Sequence, residues 1–217
     1  MILNEQIKAN TQIVSEYKIR KEKYQRANDQ KHLDANFEIA IDAVKDTICC
    51  FQYAKEESDF KESQEELNNL SNLLVICKDM VNTGYVNATD TAKINSLNRL
   101  YKEELQEEWK EYYVNTTSAI EEILNVTQNF TGSETKSLIN DIKNASELKN
   151  DRYVIGKMML AIEKSNEIIE QLELNDTIID FLKKMLNNTA SLDDLNDEVE
   201  EWIMKENMKR KIKLSFL

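Results

Sequence analysis

The chain contains no proline and only three glycines, Gly84, Gly132 and Gly156, among 217 residues. Proline and glycine stop helices, turn hairpins and let backbone close around phosphate. A chain almost without them is confined to long helices joined by polar breaks. The expected fold class is all-α: an elongated helical bundle of about six to eight helices, with coiled-coil character and a short strand-like C-terminal tail.

The proportions of side chains agree with this. Charged residues make up 31% and hydrophobic residues 41%, which suits amphipathic helices with a solvated face opposite each buried stripe. The formal charge of −12 opposes general affinity for nucleic acid or anionic membrane, both negative themselves. Cys49, Cys50 and Cys77 form no C-x-x-C pair and fall in apolar helical runs. They read as buried, reduced thiols of a cytoplasmic protein. No charged leader followed by an apolar core opens the sequence, and no run approaches the ~20 apolar residues of a membrane span. The expectation is therefore a cytoplasmic protein with no membrane partner.

Along the chain, Leu3, Ile7, Asn10, Val14, Tyr17, Lys21 and Tyr24 follow the alternating four-and-three spacing of a heptad seam. Asn10 occupies a core position of it, where a polar residue fixes register and partner number at a cost in stability. Leu3, Ile7, Asn10, Val14 and Tyr17 thus form a candidate helix-pairing surface, between chains or within the bundle. The polar stretch Asn28–His32 is expected to end this first helix. A second, over residues 33–54, carries Leu33, Phe37, Val44, Ile48 and Phe51 as its stripe. A third, over residues 62–82, places Leu67, Leu70, Leu74, Cys77 and Val81 inward, with Gly84 as a left-handed cap.

A fourth helix, capped by Asp90 or Thr89, runs without interruption to Thr127, a rod of roughly 55 Å. Beyond Gly132 the pattern gives a short helix with Leu138, Ile139 and Ile142, and another opened by Asp151. A further one starts at Asp176. The last follows Ser191-Leu-Asp-Asp194, which resembles a capping box. The expected domain split is 1–131 and 132–217.

The tail differs in kind. After the basic run Lys209, Arg210 and Lys211, the apolar Ile212, Leu214 and Phe216 alternate with polar residues, Lys213 among them, with the period of a strand. A strand with no sister in its own chain has backbone groups to satisfy elsewhere. These residues are the candidate partner-binding segment.

Much chemistry is excluded. Phosphate-cradling loops need clustered glycines. A di-iron carboxylate bundle needs histidines from two helices, and His32 is the only histidine. No cofactor and no metal ion is expected, nor a catalytic residue in the leading interpretation. His32 lies six residues after Arg26. This R-x5-H spacing resembles the motif of HEPN-type helical ribonucleases. The resemblance implies metal-independent general acid–base cleavage of RNA by Arg26 and His32 at a dimer interface. The family has a polar residue directly after the arginine, where this chain has Ala27. The simpler interpretation of His32 is a solvated turn residue. Lys18, Arg20, Lys21, Lys23 and Arg26, interleaved with Tyr17 and Tyr24, form a basic patch able to contact nucleic acid.

The function expected from the whole is a non-enzymatic interaction or adaptor subunit of an intracellular multi-protein complex, with a protein partner, a homo-oligomer or both. The alternatives are the Arg26–His32 ribonuclease and an acidic nucleic-acid mimic that inhibits a DNA-binding protein.

Overall fold

The computed structural model describes residues 2–84, 86–131 and 133–206, with side chains from Ser15 onward apart from residues 66 and 129–131. It holds seven α-helices: α1 Ile2–Glu57, α2 Gln64–Thr83, α3 Ala88–Thr131, α4 Ser133–Asn144, α5 Arg152–Gln171, α6 Asp176–Leu186 and α7 Asp197–Lys205. A 3-10 turn, Leu192–Asp194, precedes α7, and no strand occurs among the described residues. The all-α class and the expected number of helices are as the composition dictates. The strand-like tail lies outside the described residues.

The break expected at Asn28–His32 is absent, and α1 runs unbroken through it. Asn and Asp cost a helix interior only several tenths of a kcal/mol relative to alanine, far less than proline or glycine would. Gln30 also donates to the Asp34 carboxylate one turn on, at 2.9 Å. Polarity there marks a solvated surface, not an end.

The helix caps are asparagines more often than the sequence suggested. Asn87, not Asp90 or Thr89, caps α3: its side-chain oxygen accepts the Asp90 N–H at 2.8 Å. Asn175 caps α6 through the Ile178 N–H at 2.9 Å, and Asn196 caps α7 through the Val199 N–H at 3.0 Å. The Ser191–Asp194 box closes the 3-10 turn instead, with the Ser191 N–H and hydroxyl both donating to Asp194 at 2.7 and 2.8 Å. Asp151 caps α5 as anticipated, accepting from the Tyr153 N–H at 3.0 Å. Gly84 sits at φ +63 and closes α2 through a bond to the Met80 carbonyl at 3.1 Å.

The chain divides into two compact units, residues up to Ile48 with 63–104, and 49–62 with residues from Leu105 onward. The chain passes between units at 48/49, 62/63 and 104/105, so the 131/132 boundary anticipated at Gly132 falls inside the second unit. Helices α1 and α3 each supply residues to both.

In the first unit, Ala40 and Val44 of α1 meet Leu73, Cys77 and Met80 of α2 and Ile94 of α3. The second unit has two cores. One joins Cys50, Ala54 and Phe60 to Leu105 and Trp109 of α3, Leu138 and Ile142 of α4, and Ile155 and Met158 of α5. The other packs Ile178, Phe181 and Leu182 of α6 against Val199, Trp202 and Ile203 of α7, with Val126 of α3.

Candidate functional site

Three surfaces stand out: a stripe on α2, the exposed first half of α1, and a groove along α5. The stripe on α2 corrects the sequence expectation. Leu73, Cys77 and Met80 are buried, whereas Leu67, Leu74 and Val81 are exposed by 37%, 43% and 64%. Residues 73–77 are five consecutive apolar side chains, so periodicity alone cannot choose which face turns inward. Packing chooses Leu73, keeps Cys77 inward as expected, and leaves Leu67, Leu74 and Val81 in solvent. Leu67, Leu70, Ser71, Leu74, Val75 and Lys78 line a shallow depression of about 290 Å³ on this face.

Helix α1 is exposed at every position from Ser15 to His32. Tyr17 and Tyr24, one heptad apart in the predicted seam, are both exposed, as is Ile19. Leu3, Ile7, Asn10 and Val14 lie on the same continuous helix, and their side chains fall outside the described residues.

The other sequence-derived sites map onto this same exposed stretch. At 100° per residue, Lys18, Arg20, Lys21, Lys23 and Arg26 are spread around the helix axis and do not share one face. Arg26 and His32, both exposed, are separated by about 9 Å of rise and about 120° of azimuth. One chain does not bring them to a common point. Lys209, Arg210, Lys211, Ile212, Lys213, Leu214 and Phe216 lie outside the described residues.

The α5 groove was not anticipated. It measures about 950 Å³, and its lining includes Tyr153, Gly156, Met159, Leu160 and Glu57. It opens beside Gly156, where a Cβ would stand 3.1 Å from the Glu57 carboxylate oxygen. Arg152 closes one end, donating from Nε to Glu57 at 2.5 Å, with Glu56 3.6 Å away. The Glu57 carboxylate holds the Arg152 guanidinium above its ordinary range. The sequence signal for this surface was Gly156 itself, a glycine inside a helix with no turn to make.

Cys50 and Cys77 are buried and Cys49 half-buried. Burial pushes the Cys77 thiol up, away from the reactive thiolate. Among the described residues, no cluster of three or more His, Cys, Asp and Glu is arranged to hold a metal ion, and no helix is long and apolar enough to cross a membrane. No family model matches the chain, and no curated protein or solved structure matches it significantly.

Proposed function

We propose that this protein is a non-enzymatic helical adaptor, an interaction subunit of a multi-protein complex, which receives an amphipathic helix of a partner protein along α2. The observation that carries this proposal is the solvent-facing stripe of Leu67, Leu74 and Val81 on a helix that packs into its own core through Leu73, Cys77 and Met80 instead. A row of aliphatic side chains at heptad spacing fits the anchor positions of a second helix. Covering a fully exposed aliphatic side chain gains roughly 1.5–3 kcal/mol, and three or four half-exposed ones supply a useful fraction of a binding energy. The exposed length of α1, with Tyr17 and Tyr24 in register, extends the helical surface open to a partner.

The test is recovery of tagged protein from its native cells, with and without the double substitution Leu74→Glu and Val81→Glu. Both positions are exposed, so the helical circular-dichroism spectrum should not change. The substitutions are expected to abolish a stoichiometric protein partner that the wild type retains. Undiminished recovery of that partner by the variant would refute the α2 assignment. A dimer of the chain itself, lost in the same variant, would identify the receiving helix as a second copy.

A further inference from the structure

We infer that the exposed face of α5 is a second docking surface, independent of α2, which takes a cationic amphipathic helix of a partner protein. The face has two halves. Tyr153, Gly156, Leu160, Glu163, Glu167 and Glu170 fall within an arc of about 100° at helical spacing. The N-terminal half is the apolar groove, with Tyr153 and Leu160 exposed by 68% and 58%. The C-terminal half carries three exposed carboxylates, those of Glu163, Glu167 and Glu170.

These carboxylates stand where the helix itself disfavours them. The C-terminal end of a helix carries partial negative charge and favours cations, yet the last turn of α5 has no basic residue. Glu163 and Glu167 are i,i+4 neighbours, and Glu167 and Glu170 are i,i+3, spacings at which like charges destabilise a helix. Asp141 pairs with Lys157 and Glu173 with Lys205, but none of the three glutamates is ion-paired among the described residues. Lys164 flanks them and is outnumbered. Cations on an incoming helix relieve both the mutual repulsion and the conflict with the dipole.

The same charge pattern decides the occupant. Nucleic acid and anionic membrane are repelled by the acidic half. A second copy of α5 fits poorly: a parallel pairing sets glutamates on glutamates, and an antiparallel one sets them on Tyr153 and Leu160. The cations at the apolar end are already engaged, Arg152 by Glu57 and Glu56 and Lys157 over the Tyr153 ring at 4.7 Å, so that end calls for apolar side chains. The backbone of α5 is committed to its own hydrogen bonds and offers no edge to an extended chain, whereas a helix arrives with its backbone satisfied. From Tyr153 to Glu170 the face rises about 25 Å, or about five turns of a partner helix. Its apolar anchors lie over Tyr153 and Leu160, and its lysines or arginines over the glutamates.

The test is fluorescence anisotropy of a labelled synthetic helix of about 20 residues, titrated with the purified full chain. The peptide carries leucines at heptad spacing in one half and lysines on the same face of the other. Wild type is expected to bind it at least about tenfold more tightly than the same peptide with glutamates in place of lysines. Leu160→Glu should weaken binding about tenfold, and so should Glu163→Lys with Glu167→Lys. All three positions are exposed, so the circular-dichroism spectrum should not change. An equal charge reversal at exposed positions of α1, Glu22→Lys with Asp29→Lys, should leave the affinity within about twofold, which separates this site from attraction to the chain's overall charge.

Absence of binding, binding undiminished by Leu160→Glu, or an equal loss in the α1 variant overturns the inference. Self-association abolished by Leu160→Glu would assign the face to a second copy and overturn it too. Loss of the peptide only in the Leu74→Glu, Val81→Glu variant would place it on α2, refuting the α5 surface while leaving the α2 adaptor assignment standing.

Discussion

Trp109 of α3 donates its indole N–H to the backbone carbonyl of Ala145 at 2.8 Å, joining residues 36 positions apart. The ring is fully buried, with Phe60 edge-on at 5.7 Å and Tyr112 tilted at 5.3 Å between centroids. Gln106, on the same helix, takes both backbone groups of Leu148, donating to its carbonyl at 2.5 Å and accepting its N–H at 3.1 Å. Helix α3 thus clamps the connection between α4 and α5. That clamp fixes where α5 begins and holds the groove face in place.

Replacing Trp109 by Phe removes aromatic volume from a site with no exposure and leaves the Ala145 carbonyl without its donor. Cavity formation and an unsatisfied buried acceptor together are expected to cost about 2–4 kcal/mol. Denaturant unfolding followed by far-UV circular dichroism reads this directly. A loss below about 1 kcal/mol would show that the connection is held by Gln106 and the aliphatic core without the tryptophan.

Asn98 of α3 presents the opposite case. It is 8% exposed, and its side-chain oxygen is buried with no hydrogen-bond partner. Asn98→Leu keeps the branched shape with bulkier methyl ends and has no polar group to desolvate, so it is expected to stabilise the protein by about 1 kcal/mol. Unfolding midpoints of the two proteins decide the matter, and a lower midpoint for the leucine variant would show that Asn98 is satisfied by water or a partner in solution.

The fold class was legible because it rests on residues that are missing: without proline and with three glycines, little but helix remains. Element positions followed wherever a glycine or a capping side chain acted locally, as at Gly84 and Asp151. Errors arose where polarity was taken for a break, as at Asn28–His32, since no single residue there forbids a helix. They arose again where two faces of one helix are equally apolar, as at Leu73 and Leu74, because the choice between them is made by Ala40 and Ile94, far away in sequence. The α5 groove was hidden for the same reason. Gly156 is visible in the sequence, but the Glu57 carboxylate that approaches it comes from another helix.

Asp194 links the 3-10 turn to α6. It accepts from Lys184 at 2.7 Å as well as from Ser191. These bonds, with the lysine's contribution largest, lower its carboxyl from the ordinary 3.8 to about 2. A carboxylate depressed on folding contributes stability above its unfolded value, and that contribution is lost as pH falls through the folded one. Wild-type protein should therefore lose stability between about pH 4 and pH 2 partly through this group. Asp194→Asn should start less stable at neutral pH and show a shallower fall across that window. Thermal melts at stepped pH test this, and parallel curves for the two proteins would remove Asp194 from the acid response.

Tyr113 governs the alkaline side. It is buried on α3, and its hydroxyl donates to Glu121 at 2.5 Å, two turns further along the same helix. Thr117 lies between them and donates to the Tyr113 carbonyl at 2.8 Å. Burial first, and the Glu121 carboxylate second, push the phenol from 10.0 up to about 12. A group whose folded value is raised contributes stability that is fully present below its unfolded value and is lost as pH rises through the folded one. The window for Tyr113 is thus about pH 10 to pH 12, where the unfolded chain releases a proton that the folded chain keeps. Tyrosinate absorbance should show one late-titrating phenol that disappears in Tyr113→Phe. The same variant should lose less stability than wild type across the window, although at neutral pH it forfeits the bond to Glu121. If the late phenol persists in Tyr113→Phe, the high value belongs to another tyrosine, of which Tyr112, raised by burial and by Asp59, is the first to replace.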